Sequence, residues 1–122
     1  MKRIITIVSV LYIILLQSLA GDTICIDNIC YLLQDNRTAK VVGTKKEFEE
    51  IKIPSTIKYE QKSYKVVEIG FRAFWGSSPD IKKVSLPNTI TCIDEGAFLL
   101  CVDLESINIP KSVRTIGKEA FS

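Results

Sequence analysis

Apolar and polar positions alternate along this chain in short bursts with a period of two. In Leu104-Glu105-Ser106-Ile107-Asn108-Ile109, Ile107 and Ile109 fall on one face of an extended strand, and Ser106 and Asn108 fall on the other. Pro110 follows; it has no N–H to donate, so it ends the ladder there. The period then changes. Ile90, Ile93, Ala97 and Phe98 are spaced three or four apart, which predicts a compact turn or short helix. One strand and one tighter segment make a single coil, too small to cover its own apolar residues.

The coil recurs. Ile69-Gly70-Phe71-Arg72-Ala73-Phe74 aligns with Ile93-Asp94-Glu95-Gly96-Ala97-Phe98 and with Ile116-Gly117-Lys118-Glu119-Ala120-Phe121, at spacings of 24 and 23 residues. The strand phrase also recurs, as Phe48-Glu49-Glu50-Ile51-Lys52-Ile53-Pro54, Ile81-Lys82-Lys83-Val84-Ser85-Leu86-Pro87 and Leu104 to Pro110. Stacking such coils buries the apolar residues against copies of themselves and sets the strands in a parallel sheet. Phe74, Phe98 and Phe121 then line up along a shared spine.

Ile90 to Pro110 carries Ala97-Phe98, Cys101, Leu104, Ile107 and Ile109-Pro110 in the order I-x-x-I-x-x-x-A-F-x-x-C-x-x-L-x-x-I-x-I-P. This unit resembles the leucine-rich repeat of the BspA-like (Treponema pallidum-type) class. The resemblance is strong over 66–122 and weaker over 23–65. It implies an α/β repeat solenoid: a leucine-rich-repeat coil with short parallel strands, preceded by a β-hairpin-rich N-terminal cap. The expected boundaries are 21–65 for the cap and 66–122 for about two and a half repeats without a C-terminal cap. Strands are expected around Thr23–Ile26, Ile29–Gln34, Thr38–Val42, Ile57–Tyr59 and Tyr64–Val67, with a turn over Glu60 to Ser63. Two departures stand out. The first copy lacks the cysteine of the phrase and carries an extra residue within 75–80, and the array ends at Phe121-Ser122, part-way through a unit. Val113, Ile116 and Phe121 would face an open end there, so the chain reads as a fragment of a longer array, a decayed gene, or a protein covered at that end by a partner.

Lys2 and Arg3, the apolar run Ile4 to Leu16, and the small residues Ser18 and Ala20 match a secretory signal cleaved after Ala20. The run is shorter than the about 20 apolar residues of a membrane span. Cleavage would leave no span and place the mature chain outside the cytosol, where disulfides persist. In Cys25-Ile26-Asp27-Asn28-Ile29-Cys30, Asp27-Asn28 suits a two-residue hairpin turn that sets Cys25 opposite Cys30, so a Cys25–Cys30 disulfide is expected. The resemblance implies that Cys101 stands where the class keeps a small buried hydrophobe, so a reduced thiol is expected there. Cys92 is left either free or bridged to Cys101. Zinc is not expected, because the Cys-x-x-Cys spacing is absent.

Composition narrows the chemistry. The chain has no histidine, which excludes imidazole-based triads and imidazole metal ligands within it. From Gly21 onward 14 basic residues balance 14 acidic ones, so no basic field remains to attract nucleic acid. The carboxylate pairs Asp94-Glu95 and Asp103/Glu105 and the basic pairs Lys45-Lys46 and Lys82-Lys83 read as solvated positions rather than catalytic ones. Trp75 is either a ligand anchor or a lid over the irregular coil. Asn36-Arg37-Thr38 makes Asn36 an N-glycosylation acceptor if the source is eukaryotic.

No catalytic, cofactor or metal site is expected. Function falls to the outward strand residues, with Glu50, Lys83 and Ser106 in one row and Lys52, Ser85 and Asn108 in the next. The resemblance implies a secreted or cell-surface module that binds a host or matrix protein in adhesion. The alternative is an assembly module that joins like chains through the open end. N-terminal sequencing of the exported product is expected to begin at Gly21.

Overall fold

Residues Asp27 and Asn28 adopt left-handed backbone, with φ of 51° and 66°. Two successive left-handed residues twist the chain to suit antiparallel strands, and they close a hairpin between β1 (Asp22–Ile26) and β2 (Ile29–Leu33). The computed structural model describes residues 21–76 and 80–122; the expected export segment lies outside them. β3 (Thr38–Thr44) pairs antiparallel with β2. A second two-residue turn, Glu60-Gln61 with φ of 49° and 65°, joins β5 (Thr56–Tyr59) to β6 (Lys62–Ile69). This turn is tighter than the expected Glu60–Ser63, because both of its residues accept positive φ and free Lys62 and Ser63 to extend the strand.

β6 links this hairpin region to the repeats. Its N-terminal half pairs with β5, and its end pairs parallel with β8 (Cys92–Ile93), which pairs in turn with β10 (Thr115–Ile116). Glu68, Cys92 and Thr115 share one register position, and Ile69, Ile93 and Ile116 share the next. A separate parallel sheet holds β4 (Glu50–Lys52), β7 (Lys83–Ser85) and β9 (Ser106–Ile107). Each later coil therefore contributes two short strands, one to each sheet.

Among the described residues no segment is helical, which corrects the α component of the expected α/β architecture. Hydrogen bonding supplies the reason. The Arg72 and Phe74 amides donate to Glu95 and Ala97 carbonyls of the following coil, at 3.1 and 2.9 Å. The Gly96, Phe98 and Leu100 amides donate onward to Lys118, Ala120 and Ser122, at 3.0, 2.7 and 2.8 Å. The amides between them turn back on their own coil, Ala97 to Asp94, Leu99 to Gly96 and Cys101 to Phe98. An α-helix would direct every amide four residues back along its own segment and leave no donor for the neighbouring coil. Left-handed φ at the equivalent residues Arg72, Gly96 and Glu119 (49°, 64° and 55°) also breaks any right-handed helical run.

Side chains follow the same stacking. The rings of Phe74 and Phe98 lie 5.1 Å apart and 7° from parallel; those of Phe98 and Phe121 lie 5.4 Å apart and 4° from parallel. Parallel rings touch at roughly 3.5–4 Å, so the longer centroid distances mean offset stacking, the arrangement favoured by the ring quadrupole. Phe74 and Phe98 are buried, whereas Phe121 is 42% exposed and Ile116 51%. Ile51, Ile53, Val84, Leu86, Ile69, Ile90 and Ile93 complete the core between the two sheets.

Replacing Phe98 by alanine removes the middle ring of the stack and is expected to cost about 3–5 kcal/mol in urea unfolding. Phe121→Ala, half in solvent, costs less. Gly117→Ala is expected to lower the melting temperature strongly, because a Cβ there would run into the backbone of Asp94 and Glu95.

Candidate functional site

The β4–β7–β9 sheet turns Ile51 and Val84 inward, at 3% and 2% exposure, and leaves their neighbours facing solvent. Register sets Glu50 beside Lys83 and Lys83 beside Ser106. Lys52 stands beside Ser85 in the same way. Neighbouring strands in such a sheet run about 4.8 Å apart, so each row is a line of side chains at fixed intervals on a firmly packed base.

Asn108 behaves differently from its expected place in the second row. β9 ends at Ile107, and the Asn108 side chain bonds the Leu86 backbone instead. Its Oδ1 accepts from the Leu86 amide at 2.8 Å, and its Nδ2 donates to the Leu86 carbonyl at 3.0 Å. One coil earlier, a main-chain bond from Ile53 to the Ser85 carbonyl occupies this place. The asparagine amide thus substitutes for a strand rung, which alternation alone does not reveal.

Charges at the edge of this face are partly paired. Lys82 donates to Glu49 at 2.7 Å across consecutive coils, holding the Glu49 carboxyl below its usual range by hydrogen bond and charge, and raising the Lys82 ammonium by the same contact. Of the Lys82-Lys83 pair, Lys83 alone has no ion-pair partner among the described residues. Asp94 caps the Glu95 amide at 2.7 Å. Among the described residues no group of three or more Cys, Asp or Glu side chains gathers around a metal-sized space.

The remaining candidates have definite places. Cys25 and Cys30 face each other in the β1–β2 register and form a disulfide, with Cα atoms 4.0 Å apart. Cys92 and Cys101 are free thiols. The Cys101 thiol donates to the Phe74 carbonyl at 3.4 Å, and burial pushes its pKa up, which keeps it protonated. Asn36 is exposed in the β2–β3 turn, where its carbonyl accepts a bond from the Thr38 hydroxyl. Trp75 is 46% exposed with the Arg72 guanidinium 4.9 Å above its ring; Phe71, 57% exposed, shares the same guanidinium at 5.1 Å.

One hollow had no counterpart in the sequence reading. A cavity of about 400 Å³ lies between the β1–β2 turn and strands β4 and β5, with Tyr31, Lys52 and Lys58 in its wall. A second, of about 370 Å³, shares Lys52, Pro54 and Thr56 with it and reaches Ser85. Tyr31 is 1% exposed. Burial, with a smaller contribution from the nearby Asp27 charge, pushes its phenol up to about 12. Alternation in β2 marks Tyr31 as inward-facing, but only the fold brings Lys52 and Lys58 beside it.

A family model described as BspA type leucine rich repeat region matches residues 43–122, in six copies. A leucine-rich repeat protein from Bacteroides ovatus ATCC 8483 superposes with a TM-score of 0.75 and 37% identity over 81% of this chain and 26% of that one. A leucine rich cell surface protein from Faecalibacterium prausnitzii A2-165 gives 0.73 and 26% identity over 83% of this chain and 28% of that one. The T. pallidum leucine rich repeat protein, at 0.59 and 22% identity over 83% and 56% of the two chains, shares the fold. This chain spans about a quarter of the length of the first two. No curated protein matches its sequence.

Reducing the Cys25–Cys30 disulfide reopens a small loop and is expected to lower stability by about 2 kcal/mol on the chain-entropy model. Urea midpoints with and without reductant measure it, with Cys25→Ser/Cys30→Ser as the matched variant.

Proposed function

The chain belongs to the BspA-type leucine-rich repeat family, and from that premise we propose that it is a protein-binding module of the cell exterior, secreted or surface-displayed, that engages a host or matrix protein in adhesion without catalysis. In this reading residues 1–20 direct export. Residues 21–65 cap a solenoid whose repeats occupy 66–122, and β4 of the cap joins β7 and β9 of the repeats in the presented face. The observation that carries the reading is the register of Glu50, Lys83 and Ser106 over buried Ile51 and Val84. Such a row holds its side chains in place before a partner arrives, so little ordering entropy is lost on contact. Its mixed charge favours a partner surface with opposite charges in matching positions over a uniformly charged polymer. Kinship with a protein described as a cell surface protein supports the location. Among the described residues no helix is long and apolar enough to cross a membrane.

The second reading, a module that joins like chains, draws on the exposure of Ile116 and Phe121. Reversing Lys52 and Lys83 to glutamate distinguishes the two. Adhesion to immobilised host matrix is expected to fall at least about tenfold, the equivalent of one lost charge contact, with the melting temperature unchanged. Unaltered adhesion with altered self-association favours assembly.

A further inference from the structure

The cavity beneath the β1–β2 turn has the composition of a binding pocket. Its floor and walls are apolar, from Ile29, Ile57 and Pro54. Its rim carries two ammonium groups, Lys52 and Lys58, against the single carboxylate of Asp27. Neither lysine has an ion-pair partner among the described residues, although Lys40 and Lys82 both do. The rim therefore presents an excess of positive charge above an apolar hollow.

Tyr31 adds a polar group from below. Its side chain is 1% exposed and lines the hollow. A hydroxyl in the wall of an apolar hollow can bond a ligand atom that enters it and fix that atom's orientation. Because burial holds the phenol neutral well above physiological pH, it serves as a hydrogen-bond donor. At about 400 Å³ the space falls within the range of specific small binding sites and takes one large side chain with part of its flanking backbone.

We propose that this hollow receives an acidic side chain of a partner polypeptide, its carboxylate held between Lys52 and Lys58 with the Tyr31 hydroxyl as donor, and its apolar neighbours resting on Ile29, Ile57 and Pro54. The proposal rests on the protein-binding reading above and refines it: Lys52 belongs both to the hollow and to the outward row beside Ser85, so the pocket forms one end of the same face. Two cations and a neutral donor suit a carboxylate. The apolar floor favours a polypeptide segment over a bare carbohydrate acid.

The test titrates the ¹⁵N-labelled protein with the capped tripeptides acetyl-Leu-Glu-Leu-amide and acetyl-Leu-Gln-Leu-amide, and with glucuronate, each to about 10 mM to capture millimolar affinity. The glutamate peptide is expected to shift the amides of Ile29, Tyr31, Lys52, Ile57 and Lys58, and to bind at least about tenfold more tightly than the glutamine peptide, as loss of one charged contact predicts. Lys52→Ala with Lys58→Ala removes the preference for acid. Tyr31→Phe, which deletes only the hydroxyl, weakens the glutamate peptide about three- to tenfold, as one hydrogen bond predicts. Equal binding of the two peptides, unchanged binding in the lysine variant, or no shifts at the highest concentration overturns the proposal. Glucuronate binding as tightly as the glutamate peptide overturns the polypeptide as occupant. Glu50→Lys with Lys83→Glu serves as the control on the wider face: loss of adhesion there with peptide shifts intact shows the two readings failing or standing separately.

Discussion

The structure depends on an alternation of backbone amides. In the turns at 72–75 and 96–101 every second N–H leaves its own coil and bonds a carbonyl of the next; the ones between fold back three residues. Neither set alone suffices. The local bonds shape a turn that would be unstable in isolation, and the onward bonds tie that turn to a copy of itself. Because both sets draw on the same short segment, each coil is formed by docking on its neighbour. The offset phenylalanine column sits directly on this arrangement, since Phe74 and Phe98 are among the residues whose amides reach across.

Much of this was legible in the residues. The Ala-Phe spacing located the ring column, and the Pro-terminated phrases located β4, β7 and β9 with their register. Asp27-Asn28 located the hairpin that brings Cys25 to Cys30. What stayed hidden has identifiable causes. Spacings of three and four fit a short helix and a series of turns equally well, and inter-coil hydrogen bonding decides between them. Asn108 sits at a polar position in an alternating phrase and so reads as outward, while its amide is the right length to stand in for a peptide group. The hollow joining Tyr31 to Lys52 and Lys58 draws on three strands with no common motif, so no linear pattern announces it.

The candidate surface inherits its character from the core beneath it. Ile51 and Val84 hold β4 and β7 still, and the intercoil bonds hold their spacing, so the polar residues above them form a stiff array. Lys82 and Glu49 tie the edge of that array across two coils through an exposed contact that salt screens. Specificity therefore lies in which residue types occupy the rows, a feature that sequence can alter at exposed positions without disturbing the packing below.

The strand registers hold although one pair of coils is separated by 24 residues and the next by 23. The hydrogen-bonded positions thus keep step despite the difference in length. A genetic duplication of one whole unit would lengthen the molecule by a single strand width and preserve every existing contact. Growth and shortening by unequal recombination become neutral steps for such a chain, and its reach is open to evolution independently of its chemistry.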